Sequence, residues 1–156
     1  MRTPRDDGFT LIELLVTLAV FAVLVVIAVP SMRPFLLSQG VKNASMDINS
    51  TVALARSEAI KRNAPVDVAA VDDANWGKGW SIKQAGTVIR EQDELSNITI
   101  APGSTGGFSF DGNGRMTTTG STFTIAPTDK AGSQPLCLTV TVGPTGRVKS
   151  TKVTCT

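Results

Sequence analysis

Few residues of this 156-residue chain could carry out chemistry, because it has no histidine and only two cysteines. Catalysis by a serine–histidine or cysteine–histidine pair needs a histidine, and two cysteines alone cannot close a tetrahedral zinc site. The acidic clusters Asp72–Asp73 and Glu91/Asp93/Glu94 do not match a calcium-binding loop, and we interpret them as solvated turns. We therefore expect no catalytic residue, no metal site, no cofactor and no enzymatic activity.

Glu13 is the most informative ionisable residue. It lies within residues 9–29, of which all but three are apolar. A helix of that length spans roughly 30 Å, the thickness of a bilayer's hydrocarbon core. A carboxylate at such a position indicates function, because it is costly without a partner. Glu13 is also near enough to the end of the segment to reach the headgroups, and taken alone its position leaves both interpretations open.

Basic residues are concentrated near the C terminus. The net charge of the chain is only +2, which is too small to make the whole surface a nucleic-acid binder. Residues 130–156 nevertheless contain no acidic side chain and four basic ones, Lys130, Arg147, Lys149 and Lys152. They are interpreted either as an edge strand on which lysines block aggregation or as a local site for a polyanion.

The elements that position these residues follow from hydrophobic periodicity. Beyond Pro30 and Pro34, apolar residues recur every three or four positions up to Ala59, which predicts an amphipathic helix packed on a sheet. The two prolines are expected to bend this helix, and Asn63 and Pro65 to end it. The apolar positions are Leu37, Val41, Ala44, Ile48, Val52, Ala55 and Ala59.

After Pro65, short runs of β-branched and aromatic residues alternate with turn residues, and this pattern predicts β-structure. Asn113-Gly114 predicts a type I′ turn, and residues 143–146 predict a longer hairpin loop. The sequence thus predicts an α+β fold, with one long helix on antiparallel sheets. The predicted strands are residues 66–71, 80–83, 88–91, 98–101, 108–110, 122–126, 136–142 and 147–154.

The N-terminal residues resemble a known leader. Gly8-Phe9-Thr10-Leu11-Ile12-Glu13, followed by the apolar run and Pro30, is similar to the class III leader and N-terminal helix of type IV pilins and pseudopilins. The resemblance implies that a prepilin peptidase cuts after Gly8 and methylates Phe9, which makes Glu13 the fifth residue of the mature chain. The new amine on Phe9 would then neutralise Glu13 of a neighbouring chain in the assembled state.

Two further strings narrow the resemblance. LARSEAIKR at residues 54–62 and the Trp-Gly-Lys-Gly-Trp string at residues 76–80 resemble FimT/GspH-type minor pilins and pseudopilins. This implies a pilin-like domain organisation. Residues 1–8 would be a removed leader, residues 9–29 the transmembrane and filament-core helix, residues 30–63 its amphipathic continuation, and residues 64–156 a periplasmic β-rich domain.

The same resemblance implies a function. The chain would be a minor type IV pilin, held in the inner membrane and then incorporated into a pilus near its tip, with other pilin subunits as partners. Gly146-Arg147-Val148-Lys149 is similar to the GRxR signature of FimT-type pilins, which bind double-stranded DNA during natural transformation. Lys149 keeps the charge of the second arginine and loses its bidentate contact with phosphate. The alternative is a GspH-like minor pseudopilin of a type II protein secretion system.

Cys137 and Cys155 would face an oxidising periplasm in this topology, so we expect a disulfide between them. A hairpin closed by residues 143–146 pairs Val142 with Arg147 and places Cys137 opposite Lys152, too far along from Cys155. Either the return strand contains a bulge near Ser150-Thr151, or the loop is longer. The bulge would also bring both Val148 and Val153 to the core and put Lys152 on the same outward face as Arg147 and Lys149.

Overall fold

The computed structural model describes residues 9–72, 75–103, 107–118, 120–129 and 136–155. Its one long helix, α1, is Leu11–Arg62. The chain divides into two compact units, Met1–Phe35 and Leu36–Thr156, and α1 contributes residues to both. Gly8 and Lys130 lie outside the described residues.

The first unit consists, in its described part, of the N-terminal portion of α1. Thr10 precedes the helix, and its Oγ1 accepts a hydrogen bond from the backbone N–H of Glu13 at 3.3 Å. The first helical hydrogen bond follows, from the N–H of Leu14 to the carbonyl of Thr10 at 3.2 Å. Within the described residues, the segment Leu11–Val29 is long and apolar enough to cross a membrane, and none of it is buried inside the protein.

The second unit is built around the remainder of α1. Six residues of the predicted apolar stripe are at most 1% exposed, and Leu37 is half-buried. This face of the helix therefore packs on the core as the periodicity predicts. The six buried residues are Val41, Ala44, Ile48, Val52, Ala55 and Ala59.

Two antiparallel four-stranded sheets complete the unit. The first has the strand order β3-β2-β1-β5 and the second β4-β6-β7-β8, so β8 is an edge strand. The predicted α+β architecture is confirmed, and each predicted strand overlaps an observed one. The strands are β1 Val66–Ala70, β2 Trp80–Gln84, β3 Thr87–Gln92, β4 Ile98–Pro102, β5 Gly107–Phe110, β6 Ser121–Pro127, β7 Cys137–Val142 and β8 Val148–Val153.

An aromatic cluster fills the space between the helix and the sheets. Trp76 lies on a 3-10 helix, Trp76–Lys78, and has no exposed surface. Its ring centroid is 4.5 Å from that of Phe123 and 5.6 Å from that of Trp80. The indole N–H of Trp80 donates to Oγ1 of Thr51 on α1 at 2.9 Å. Both tryptophans are thus packing residues of the core.

The turn at residues 111–115 is not the type I′ turn predicted at Asn113-Gly114. The β7–β8 turn has the same geometry as this turn. In residues 111–115 the N–H of Gly114 donates to the carbonyl of Asp111, and the N–H of Asp111 donates to the carbonyl of Arg115. Only Gly114, at φ +72°, lies in the left-handed region, whereas a type I′ turn needs positive φ at both central residues. This is the pattern of a type I turn followed by a glycine bulge.

The β7–β8 turn repeats this pattern in residues 143–147, with Gly146 at φ +75°. The N–H of Gly146 donates to the carbonyl of Gly143, and the N–H of Gly143 donates to the carbonyl of Arg147. The extra residue of the glycine bulge shifts the register by one, so that Val142 pairs with Val148. The predicted pairing of Val142 with Arg147 is wrong, and of the two predicted remedies the longer loop is the correct one.

The predicted bulge near Ser150-Thr151 is also wrong, because β8 pairs with β7 without interruption. Val148 and Val153 therefore lie on opposite faces of the sheet, and both are half-buried. Lys152 pairs with Leu138, and Lys149 pairs with Thr141. Lys152 thus lies on the opposite face from Lys149, contrary to the prediction that they share an outward face.

Candidate functional sites

The N-terminal candidate site contains Phe9 and Glu13, both exposed at the start of α1. Thr10-Leu11-Ile12-Glu13 matches the capping-box pattern, in which Thr at the cap and Glu three residues later satisfy the first free N–H groups of a helix. The bond from the Glu13 N–H to Thr10 is one half of that pattern. The negative charge of Glu13 also suits the positive end of the helix dipole. Sequence reasoning missed the cap that Thr10 supplies, although the Thr-x-x-Glu spacing signals it.

The disulfide predicted between Cys137 and Cys155 is confirmed. Their Cα atoms are 5.4 Å apart. The corrected register explains the contact, because Cys137 pairs with Val153 and Cys155 follows two residues beyond the end of β8. The bond attaches the C-terminal end of the edge strand to β7.

The basic C-terminal residues separate into two groups. Arg147 directly precedes β8, and Lys149 follows two residues later, so strand alternation places them on one face of the second sheet. That face carries the exposed Thr141, whereas the other face packs on the helix, where Ser150 Oγ lies 2.9 Å from Ser45 Oγ. Lys152 is exposed at the far end of this helix-facing side. The structure therefore brings Arg147 and Lys149 together and leaves Lys152 apart.

Ion pairs elsewhere occupy several other basic side chains. Nε of Arg62 lies 2.7 Å from a Glu58 carboxylate oxygen, and this hydrogen bond lowers the pKa of Glu58. Nζ of Lys78 lies 2.8 Å from a Glu94 oxygen, which raises the pKa of Lys78. Within the described part of the chain, neither Arg147 nor Lys149 has a carboxylate within ion-pair distance. Their charges are thus available to an external anion.

Two clefts on the described surface of the second unit are small. One has a volume of about 140 Å³ beside Trp80, and another of about 220 Å³ lies beside Lys78 and Glu94. Both are below the roughly 300 Å³ at which small-molecule sites begin. Among the residues with described positions, no three His, Cys, Asp or Glu side chains could hold a metal ion together. Neither cleft contains a described residue of the N-terminal site or of the basic C-terminal groups, which lie on the exposed surface.

A long N-terminal helix backed by two antiparallel sheets is the architecture of pilins and pseudopilins, and comparisons with known proteins agree. The family described as "Type II transport protein GspH" matches residues 44–146, and the prokaryotic N-terminal methylation motif matches residues 3–29. The chain belongs to the GspH family and is a membrane-anchored, pilin-like structural protein. A comparison with curated protein sequences finds no significant match.

Solved structures show the same fold. The type IV minor pilin FimU of Pseudomonas aeruginosa superimposes with a TM-score of 0.59 at 25% identity, covering 70% of this chain and 86% of FimU. A second crystal form of FimU gives 0.58 at 26% identity, with 70% and 91% coverage. The minor pseudopilin EpsH of the Vibrio cholerae type 2 secretion system gives 0.51 at 16% identity, covering 71% of this chain and 95% of EpsH, and so shares the fold.

Proposed function

We propose that this chain is a minor subunit of a type IV pilus, a structural component without catalytic activity. The observation that carries the proposal is the 25% identity with the minor pilin FimU over 86% of its length, against 16% with the pseudopilin EpsH. In this role the apolar part of α1 anchors the subunit in the inner membrane before assembly. It then joins other pilin subunits in the filament, near the tip.

The second candidate is a minor pseudopilin of a type II secretion system. It is favoured by the match of residues 44–146 to the family described as a type II transport protein. Both assemblies use a membrane-anchored helix and a periplasmic domain, so the fold does not discriminate between them.

A gene deletion discriminates between the two assemblies. Surface filaments, uptake of DNA and export of proteins are scored separately in the deletion strain and after complementation. A minor pilin predicts loss of filaments or of DNA uptake with normal export. Loss of export with normal filaments would instead assign the chain to the secretion system.

The proposal includes removal of residues 1–8 by a prepilin peptidase and methylation of Phe9. The matched methylation motif, which covers residues 3–29, supports this step. Processing would place a new amine four residues before Glu13, and the pair would form between neighbouring subunits. A carboxylate and an ammonium group buried together in a filament are far less costly than either one alone.

We also propose that the exposed face of Arg147 and Lys149 binds double-stranded DNA without sequence preference. Both side chains are exposed at an edge strand, and both lack a carboxylate partner in the described chain. Contacts of this kind neutralise phosphates and release counterions, so the affinity falls steeply with salt. A few contacts per subunit bind weakly, and several subunits along one filament would bind through avidity.

The separation of the basic residues supplies a matched test of DNA binding. Gel shifts with the full-length protein in neutral detergent compare R147Q/K149Q with K152Q, since Lys152 lies on the other face. We expect the double variant to lose most binding and K152Q to keep it. Unchanged binding by R147Q/K149Q would overturn the assignment. Lys130, also predicted to bind DNA, lies outside the described residues, and K130Q serves as a separate arm.

A further inference from the structure

An exposed arginine on α1, Arg56, lies against both of the glycine-bulge turns. A Cβ atom placed on Gly114 would be 3.2 Å from Nε of Arg56, and one placed on Gly146 would be 3.3 Å from Cδ of Arg56. The Arg56 side chain thus passes across both glycines, and the absence of a side chain at either position permits this contact. Each of these glycines is followed directly by an arginine, Arg115 or Arg147.

The two turns are also joined to each other. The N–H of Met116, next to Arg115, donates to the carbonyl of Pro144 in the second turn at 2.9 Å. One turn follows β5 of the first sheet, and the other connects β7 and β8 of the second. The edges of both sheets therefore meet over the same side chain of the helix, and Arg56, Arg115 and Arg147 all adjoin this pair of turns.

The charges in this area remain largely uncompensated. Arg56, Arg115 and Arg147 are exposed, and within the described residues none of them forms an ion pair. The one carboxylate in the two turns belongs to Asp111, and its Oδ1 accepts the backbone N–H groups of Asn113 and Arg115, each at 2.9 Å. Asp111 thus holds the turn and lowers the local charge without pairing with a guanidinium group.

We propose that Arg56, Arg115 and Arg147 form one binding surface for the phosphodiester backbone of double-stranded DNA, continued along β8 by Lys149. This inference rests on the proposed DNA binding and adds two residues, Arg56 and Arg115, that no sequence motif for that activity contains. Guanidinium groups bind phosphate through paired N–H donors, and several of them in one area match the repeated charges of a duplex. Arg56 and Arg115 would add phosphate contacts to those that Arg147 and Lys149 make at the edge strand.

Fluorescence anisotropy of a labelled 30-base-pair duplex tests this surface, with the full-length protein in neutral detergent between 50 and 200 mM salt. We expect R115Q and R56Q each to weaken binding about three- to tenfold and to reduce the salt slope by about one. R56K keeps the charge and most of the stem that packs on Gly146, so it should retain most of the affinity. R90Q is the matched control, because Arg90 is an exposed arginine on β3, at the other edge of the first sheet.

The outcomes separate this inference from the proposed function. If R147Q/K149Q weakens binding while R115Q and R56Q match R90Q, the arginine surface is wrong and DNA binding by the edge strand stands. If the wild-type protein does not bind the duplex even at 50 mM salt, both proposals fail. If R115Q binds DNA normally but is depleted from sheared filaments, the surface contacts a neighbouring subunit instead, which also overturns the inference.

Discussion

At the scale of single residues, the two buried tryptophans differ in how their polar atoms are satisfied. The Trp80 indole N–H is bonded to Thr51, whereas the Trp76 indole N–H has no acceptor among the described residues. A buried donor without an acceptor loses its hydration and gains nothing in return. Thr51 is 7% exposed, so its hydroxyl is the polar contact that attaches the helix to β2 within the core.

Replacing Thr51 with valine tests the value of this contact. T51V keeps the shape of the side chain and removes the acceptor of Trp80, so we expect the free energy of unfolding to fall by about 1–3 kcal/mol. T99V is the matched control, because Thr99 is exposed and its hydroxyl donates to the carbonyl of Ala126 at the surface. Urea unfolding followed by tryptophan fluorescence measures both, and equal losses would contradict the assignment.

At the scale of elements, the β7–β8 hairpin shows how one glycine changes a register. Gly146 adds a bulge to the turn, and every pair along the two strands moves by one residue relative to the simple hairpin. Because strand side chains alternate, the faces of all β8 residues depend on that single shift. The same shift brings Cys155 within reach of Cys137, whereas Lys152 and Lys149 lie on opposite faces because β8 is uninterrupted between them.

The disulfide should stabilise this hairpin through the loop that it closes. The two cysteines are 18 residues apart, and closing a loop of that size in the unfolded chain contributes about 3 kcal/mol. We expect C137A/C155A to lose about that much stability and a corresponding part of its melting temperature. Calorimetry with and without reductant is the check: the wild type should shift on reduction and the variant should not. A wild type indifferent to reductant would show that the bond does not stabilise the fold.

At the scale of the whole molecule, the described chain has two kinds of surface. The second unit buries its apolar residues around α1, whereas the apolar side chains from Phe9 to Val29 remain exposed in the isolated subunit. A continuous apolar surface of this size indicates a membrane or other subunits as its surroundings. A compact unit with its own buried core and a segment that needs an external apolar environment therefore share one helix.

Glu13 connects this surface to assembly, and the variants E13Q and E13A test the role of its charge. Glutamine keeps the size and polarity of the side chain and removes its charge, whereas alanine removes all three. If the charge pairs with Phe9 of a neighbour, both variants should insert in the membrane but be depleted from filaments at least about tenfold, since an unpartnered buried charge costs on the order of 3–5 kcal/mol. Immunoblots of membranes and sheared filaments measure this. Normal incorporation of E13Q into filaments would contradict the pairing.

Local sequence determined much of this protein. The anchor follows from length and apolar composition, the buried face of α1 from its three-to-four-residue spacing, and the strands from short β-branched runs, since each depends on neighbours along the chain. Only the tertiary structure decided the register of β8 and the contact of Arg56 with the turns before Arg115 and Arg147. A register follows from turn geometry as well as pattern, and a contact between residues so distant in sequence requires the helix and both sheets to be packed first.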